Sequence, residues 1–273
     1  SFVFILLAGG LVLAVLFNKV KKEYAFIVLT LLIITDMFTV NKRFVNNTNF
    51  TSKSRIENPF TPSSADNQIL QDKDPDYRVL NLTTSTFNDA GTSYYHKSIG
   101  GYHGAKLRRF QELIDNHIQN EIGTFAQNMS TDSTPVLNML NTKYFILPGQ
   151  DKQPTAFPNR KALGNAWFAG SVLLVDNADA EIKALKNFMP SSVAVVDKMF
   201  AGDLNTFVPS RDSSDFITLD EYAANALTYH YRSKNKGLAV FSEIYYPKGW
   251  NAYVDGQLTP HFRADYVLRA MVL

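Results

Sequence analysis

Two apolar runs near the N-terminal end constrain this 273-residue chain more than any other feature. Residues 2–17 read FVFILLAGGLVLAVLF and carry no charge, and residues 24–40 read YAFIVLTLLIITDMFTV and carry one, Asp36. Neither run shows the single apolar stripe of a helix lying on a soluble core. A helix of 17 residues rises about 25 Å, close to the ~30 Å hydrocarbon layer of a bilayer. Only Asn18 to Glu23 separate the runs, with Lys19, Lys21 and Lys22 among them. The pattern predicts two transmembrane helices within residues 1–40, paired as a hairpin; a buried hairpin of a soluble protein is the competing reading. A signal peptide fits poorly, because there are two segments, no basic stretch precedes the first, and no small-residue cleavage site follows either. Ser1 is not an initiator Met and the last residues, VLRAMVL, stop inside a strand pattern. The chain is therefore expected to be a piece of a longer membrane protein.

Orientation follows from the short lysine-rich turn, which favours the cytoplasm. Lys42 and Arg43 just beyond the second run pull the other way, but long domains translocate largely regardless of charge. Residues 41–273 are thus expected outside the plasma membrane, in a multi-pass protein. Asp36 is the one ionisable group within a span. Such residues are functional candidates by default; it faces either a polar cavity or, one turn from the outward end, the interface.

Beyond residue 40 the chain reads as globular. Its 20 Phe and 13 Tyr are enough for a sizeable core. Lys and Arg total 27 against 25 Asp and Glu, which leaves no concentrated basic face for nucleic acid. Cysteine is absent, so disulfides, thiolate metal sites and a cysteine nucleophile are excluded. Residues 41–74, rich in Asn, Thr, Ser, Asp and Pro, read as a surface connector. Residues 75–206 read as a mixed α/β unit, with strands over 77–82, 142–147, 171–175 and 192–196 and helices over 104–122, from Thr134-Pro135, and over 178–188. Leu107, Phe110, Ile114 and Ile118, widened by Leu113 and His117, form the stripe of the first helix. From 207 to 273 short strands follow one another, with Asp255-Gly256 as a two-residue hairpin turn. This predicts a jelly-roll-like β-sandwich, truncated at its end. The fold class is α+β: a membrane hairpin, an extracytoplasmic α/β unit and an all-β module.

Few motifs carry chemistry. There is no Gly-x-Ser-x-Gly and no His pair at metal-binding spacing, and the residues call for no cofactor or metal. Asp72, Asp74 and Asp76 alternate as in a calcium loop, but Tyr77 stands where the turn glycine belongs and Thr83 where the closing Glu belongs. His117 reads as a satisfied, half-buried histidine. The segment SIGGYHGAK (98–106) offers more. Gly100, Gly101 and Gly104 permit close backbone approach, and His103, Lys106, Arg108 and Arg109 bring polar and cationic groups to a helix start, a suitable setting for a lipid phosphate. The alternative is a glycine turn followed by a solvated basic face, with Glu112 pairing to an arginine. Tyr245, Tyr246, Trp250 and Tyr253 cluster around Pro247-Lys248-Gly249. Aromatic rings of this kind stack on sugars. Strand alternation sends Trp250 towards the core with Ala252 and Val254, and leaves Tyr253, with Tyr246, as the better sugar contact.

The runs TSYYHKSIGGYHGAKLRRFQELIDNHI (92–118), VLNMLNTKYFIL (136–147) and FSEIYYPKGWNAYVDGQ (241–257) with RADYVLRA (263–270) resemble the YfhO-type family of bacterial membrane proteins, in a Bacteroidetes-like version. The resemblance extends over most of 24–273, including a span ending in Asp followed by Val-Asn-Lys-Arg-Phe. Asp265 stands where the family pattern has Asn. The family is similar to the GT-C glycosyltransferases, which transfer a sugar from a polyprenyl-phosphate carrier on the outer face of the membrane. The resemblance implies a polytopic parent that glycosylates a cell-envelope glycan or polymer, with the lipid bilayer, the polyprenyl-phosphate sugar and the acceptor polymer as partners. The superfamily's catalytic carboxylate lies in an early outward loop that no residue here matches, so no catalytic residue is carried over. The alternatives are a non-catalytic, membrane-anchored carbohydrate-binding protein and an envelope scaffold.

Overall fold

A computed structural model describes residues 2–149, 151, 153–204, 212 and 214–273, and divides the chain into two compact units, Ser1–Thr61 and Pro62–Leu273. The first unit is helical. Helix α1 (Phe2–Leu16) packs against α2 (Lys22–Phe44) through a tight turn in which Asn18 takes a positive φ of 54°. Glu23 lies in the first turn of α2 and Lys42 and Arg43 in its last, the placement that the helix dipole favours. The segment Lys22–Asn49 contains an 18-residue stretch with a mean hydropathy of 1.8, long and apolar enough to cross a membrane; α1 is more apolar but shorter. Phe26, Ile33 and Phe38 stand exposed on α2. A short helix, α3 (Lys53–Glu57), follows.

The second unit is mixed α+β. It begins with α4 (Ser64–Ile69), whose Ser63 cap and Asp66 form a reciprocal capping box. Ala65 and Ile69 of α4 are buried with Val79, Ile146 and Ala156. The expected surface connector therefore ends early. Its second half is a helix in a small core, and its low periodicity reflects the helix's shortness, six residues with only two buried. The first sheet holds β1 (Arg78–Asn81), β2 (Lys97–Ser98), β3 (Thr142–Pro148) and β4 (Pro154–Pro158) in the order β2-β1-β3-β4. Strand β1 runs parallel to β2 and β3, and β4 returns antiparallel.

Between β2 and β3 run α5 (Arg108–Leu113), a π-helical turn (Ile114–Ile118), α6 (Gln119–Asn128) and α7 (Pro135–Met139). The helix starts four residues later than the sequence predicts, because Leu107 is its cap, and runs on to Asn128. The π turn shifts the phase of the stripe, so Leu113, Ile114, Ile118 and Phe125 are fully buried while Leu107 is exposed. Pro135 occupies the first turn of α7, where its missing N–H is no loss.

The remaining elements are β5 (Ala166–Ala169), β6 (Ser171–Val175), α8 (Ala178–Ala184), β7 (Val193–Asp197), β8 (Phe216–Ala223), β9 (Ala226–Arg232), β10 (Leu238–Ile244), β11 (Ala252–Val254), β12 (Gln257–Thr259), β13 (Phe262–Ala264) and β14 (Leu268–Val272). Strands β6 and β7 pair in parallel around α8, which Asn177 caps by accepting from the Ala180 N–H at 3.0 Å. Strands β8 and β9 form one hairpin and β11 and β12 another. The second four-stranded sheet has the order β13-β14-β10-β5 and is antiparallel throughout. The expected boundary at 206/207 lies outside the described residues. The strands beyond it do not pair only among themselves, since β5 from the preceding segment forms the edge of their sheet. One core also runs through both halves: Leu80, Phe145, Trp167, Val195, Val240 and Leu268 belong to it.

Candidate functional site

A cleft of about 700 Å³ opens on one face of the second sheet. Three strands build its walls, and two of them, β10 and β14, do so by simple alternation. Phe241 and Glu243 of β10, Arg269 and Met271 of β14, and Leu227 and Tyr229 of β9 line it, while the intervening Val240, Leu268 and Ala270 point into the core. Phe241 and Arg269 are directly opposite in register. The β11–β12 hairpin and the turn before it close the remaining side. Asp255 (φ 49°) and Gly256 (φ 81°) make its two-residue turn with left-handed backbone at both positions, as the Asp-Gly pair predicts.

Trp250 and Tyr253 both line this cleft. Trp250 is half-buried and forms a wall of the cleft instead of entering the core, and the Arg269 guanidinium lies 4.4 Å from its ring centre. Such a cation over an indole face is attractive and holds both groups in place. Tyr253 is 62% exposed. Tyr246 is elsewhere. It lines a second, smaller cleft of about 430 Å³ together with Arg108, Arg109 and Phe200.

A polar cluster lies beneath the first cleft. Glu243, which lines the cleft, lies beside the Asp76 carboxyl. Burial first, and Asp76 after it, push Glu243 above the usual carboxylate range, against the opposing pull of Arg78 and Arg269. Asp76 is buried and ion-paired to Lys97, whose ammonium lies 3.0 Å from the Tyr222 ring centre. Arg78 donates to the carbonyls of Leu140 and Ser242, each at 2.8 Å, and to the Ser242 hydroxyl at 3.0 Å. Burial and the Glu243 charge raise the Tyr229 phenol above its ordinary value. His261, also in the cleft wall, is held below its ordinary value by burial and by Arg269. Sequence reading did not find Asp76, Glu243 or Arg269 as site residues. The one visible signal of Glu243 and Arg269 is a charge set inside an otherwise apolar strand pattern, FSEI and VLRAMVL, whereas Asp76 stood out only in the alternating carboxylates of 72–76.

The segment read as a phosphate loop is arranged around packing. A Cβ on Gly100 would lie 1.9 Å from the Thr86 carbonyl oxygen, and Gly101, at φ +108°, donates its N–H to that same oxygen at 2.7 Å. These two glycines let the loop close on residues 81–87. His103 accepts the Ala105 N–H at 3.0 Å, and Lys106 lies 5.6 Å from the Phe87 ring centre. Arg108 is exposed and pairs with Glu112 at 2.8 Å, the solvated arrangement that the alternative reading described. Arg109 is committed to the interior. It donates to Glu181 at 3.1 Å and to the Tyr266 carbonyl at 3.2 Å. Glu181 is fully buried and also faces Arg263 at 3.7 Å; burial raises its carboxyl despite both arginines.

Asp36 is half-buried on α2. Asp72 and Asp74 both bind Lys143, at 2.6 and 2.8 Å. His117 donates to the Ile182 carbonyl at 2.7 Å. Among the described residues no group of His, Asp and Glu is arranged to hold a metal ion. No protein-family model, curated protein or solved structure matches this chain.

Proposed function

We propose that this chain is the glycan-binding part of a membrane-anchored, envelope glycosyltransferase-like protein of the YfhO type. The single observation that carries the binding role is the first cleft. Its two rings, Trp250 braced by Arg269 and Tyr253 exposed beside it, present flat apolar surfaces next to hydrogen-bonding groups. Sugars are bound by that combination, with C–H faces on aromatic rings and hydroxyls on polar side chains. The cleft volume, about 700 Å³, suits an oligosaccharide segment of a few rings.

In this reading α2, with α1 beside it, anchors the protein in the plasma membrane as part of a multi-pass assembly, and residues 41–273 stand on its extracytoplasmic side. The β-rich part, sandwich-like in its strand pattern, positions an envelope glycan or polymer. The sugar would come from a polyprenyl-phosphate carrier. Exposed Arg108 and half-buried Lys106 remain the residues of the 98–109 segment available for a phosphate, with Arg109 held by Glu181. The transfer step itself rests on the family resemblance alone.

The test is calorimetric titration of the 273-residue chain in detergent micelles with a panel of soluble oligosaccharides. Binding that weakens about tenfold or more in Trp250→Ala and Tyr253→Ala, and is unchanged in Tyr246→Ala, supports the reading. A panel without a single binder, or binding indifferent to Trp250 and Tyr253, rejects it.

A further inference from the structure

We infer that the second cleft, which shares no lining residue with the first and does not depend on the glycan reading, binds a small molecule with an apolar body and one terminal carboxylate, held by Arg263. The cleft volume of about 430 Å³ lies within the range of small-molecule sites. Its walls are largely apolar, with Phe110, Met199, Phe200, Ile244, Tyr245 and Val267 among them. The charged side chains that line it are three arginines, 108, 109 and 263, and no acidic side chain lines it.

Two of the arginines already have oxygen acceptors, Arg108 in Glu112 and Arg109 in Glu181 and the Tyr266 carbonyl. Arg263 does not. It is only 9% exposed, and its Nε has no hydrogen-bond partner. Its one hydrogen bond among the described residues is a weak donation from Nη2 to the Met199 sulfur at 3.9 Å. Glu181 and Asp197 lie 3.7 and 4.0 Å from Nη2, near enough to balance its charge and too far to accept from it. The Phe200 and Tyr245 rings, centred 5.2 and 6.0 Å from the guanidinium carbon, hold the group in place. A guanidinium carries five N–H donors, and buried donors without acceptors are rare and costly. An oxygen acceptor entering the cleft supplies what the protein withholds, while the rings and Met199 cover an apolar body. Charge selects the head group. Arg108, Arg109 and Arg263 are matched by the carboxyls of Glu112, Glu181 and Asp197. A carboxylate adds one charge to these balanced surroundings and fits the guanidinium fork, whereas a phosphate dianion brings a second charge against the same three carboxyls.

The experiment titrates the full chain in non-ionic detergent micelles with 2-naphthoate and with octanoate, and with the uncharged amide of each, against a blank of protein-free micelles. Calorimetry reads the binding. The expected result is saturable binding of at least one acid, with its amide weaker by about tenfold or more. Preference for naphthoate points to a planar aromatic acid and preference for octanoate to an acyl chain, and either supports the inference. Arg263→Gln is expected to weaken the acid by about tenfold or more and to abolish the preference for acid over amide. Arg263 lies beside the fully buried Glu181, so that variant can fail to fold. Tyr246→Ala, in the cleft wall and 50% exposed, is the second variant, expected to weaken the acid by about threefold or more in a folded protein. Acid and amide binding equally well to the wild-type chain overturns the inference. Acid binding unchanged in Tyr246→Ala, or a preference for acid that persists in folded Arg263→Gln, overturns it too, as does the absence of saturable binding by both acids. None of these outcomes bears on the first cleft, which is tested with oligosaccharides.

Discussion

At the residue scale, the two adjacent arginines of the helix start separate cleanly. Arg108 is 91% exposed and its pair with Glu112 is a surface ion pair, worth about 0.5 kcal/mol. Arg109 faces Glu181, which has no exposed surface, so removing it leaves a buried carboxylate short of a partner. Arg109→Ala is expected to cost about 3 kcal/mol in denaturant unfolding and Arg108→Ala less than about 0.5 kcal/mol. Equal small losses would mean that Arg263 alone compensates Glu181.

The surroundings of Asp265 make its ionisation consequential. It is fully buried with φ 49°, one carboxyl oxygen accepts the Val195 N–H at 2.8 Å, and the other has no partner. Burial pushes it up to about 8, and burial pushes Glu121 up to about 7 although Glu121 accepts the N–H groups of Val136 and Leu137. Between the ordinary value of 3.8 and about 8, the folded state keeps a proton on Asp265 that the unfolded state has released. The stability this proton provides is fully present at low pH and is lost as pH rises to about 8. Each titrating group contributes a slope of at most about 1.4 kcal/mol per pH unit. The melting temperature is expected to fall from pH 5 to 8, and Asp265→Asn, neutral throughout, is expected to flatten that fall. A melting temperature that rises over this interval would contradict the assignment.

At the scale of elements, what could be read from sequence was local, and what could not was distant. The Asn177 cap of α8, Pro135 in the first turn of α7 and the Asp255-Gly256 turn each depend on neighbours within four residues, and all three are found where the sequence places them. The π turn in the long helix and the pairing of β5 with β10 were not legible. The first is decided by packing against the sheet, and the second joins Ala166–Ala169 to a strand about seventy residues later through backbone hydrogen bonds that carry no side-chain signature. Gly100 was singled out for a sound reason, close backbone approach, but the approaching group is the Thr86 carbonyl. Gly100→Ala must therefore push two backbone segments apart, and a loss of about 1–3 kcal/mol is expected. A neutral result would show that the loop yields at no cost.

At the scale of the whole molecule, the aromatic cluster around Pro247 divides between two clefts. Trp250 and Tyr253 join Glu243 and Arg269, whereas Tyr246 joins Arg108 and Arg109. Sequence proximity grouped the rings, and sheet geometry sorted them, since the register of distant strands decides which side chains share a face. Glu243 in the cleft and Asp76 beside it come from distant positions that no linear motif connects. The central claim, a glycan held in the first cleft, is tested most directly by tryptophan fluorescence. The chain has two tryptophans, and Trp167 is buried in the core with its N–H on the Pro190 carbonyl. In a Trp167→Phe background the remaining emission is that of Trp250 in the cleft wall. Saturable change in that emission on titration with an oligosaccharide, abolished by Tyr253→Ala, is the predicted result. Emission that stays constant with every oligosaccharide, in a protein that remains folded, would contradict the account.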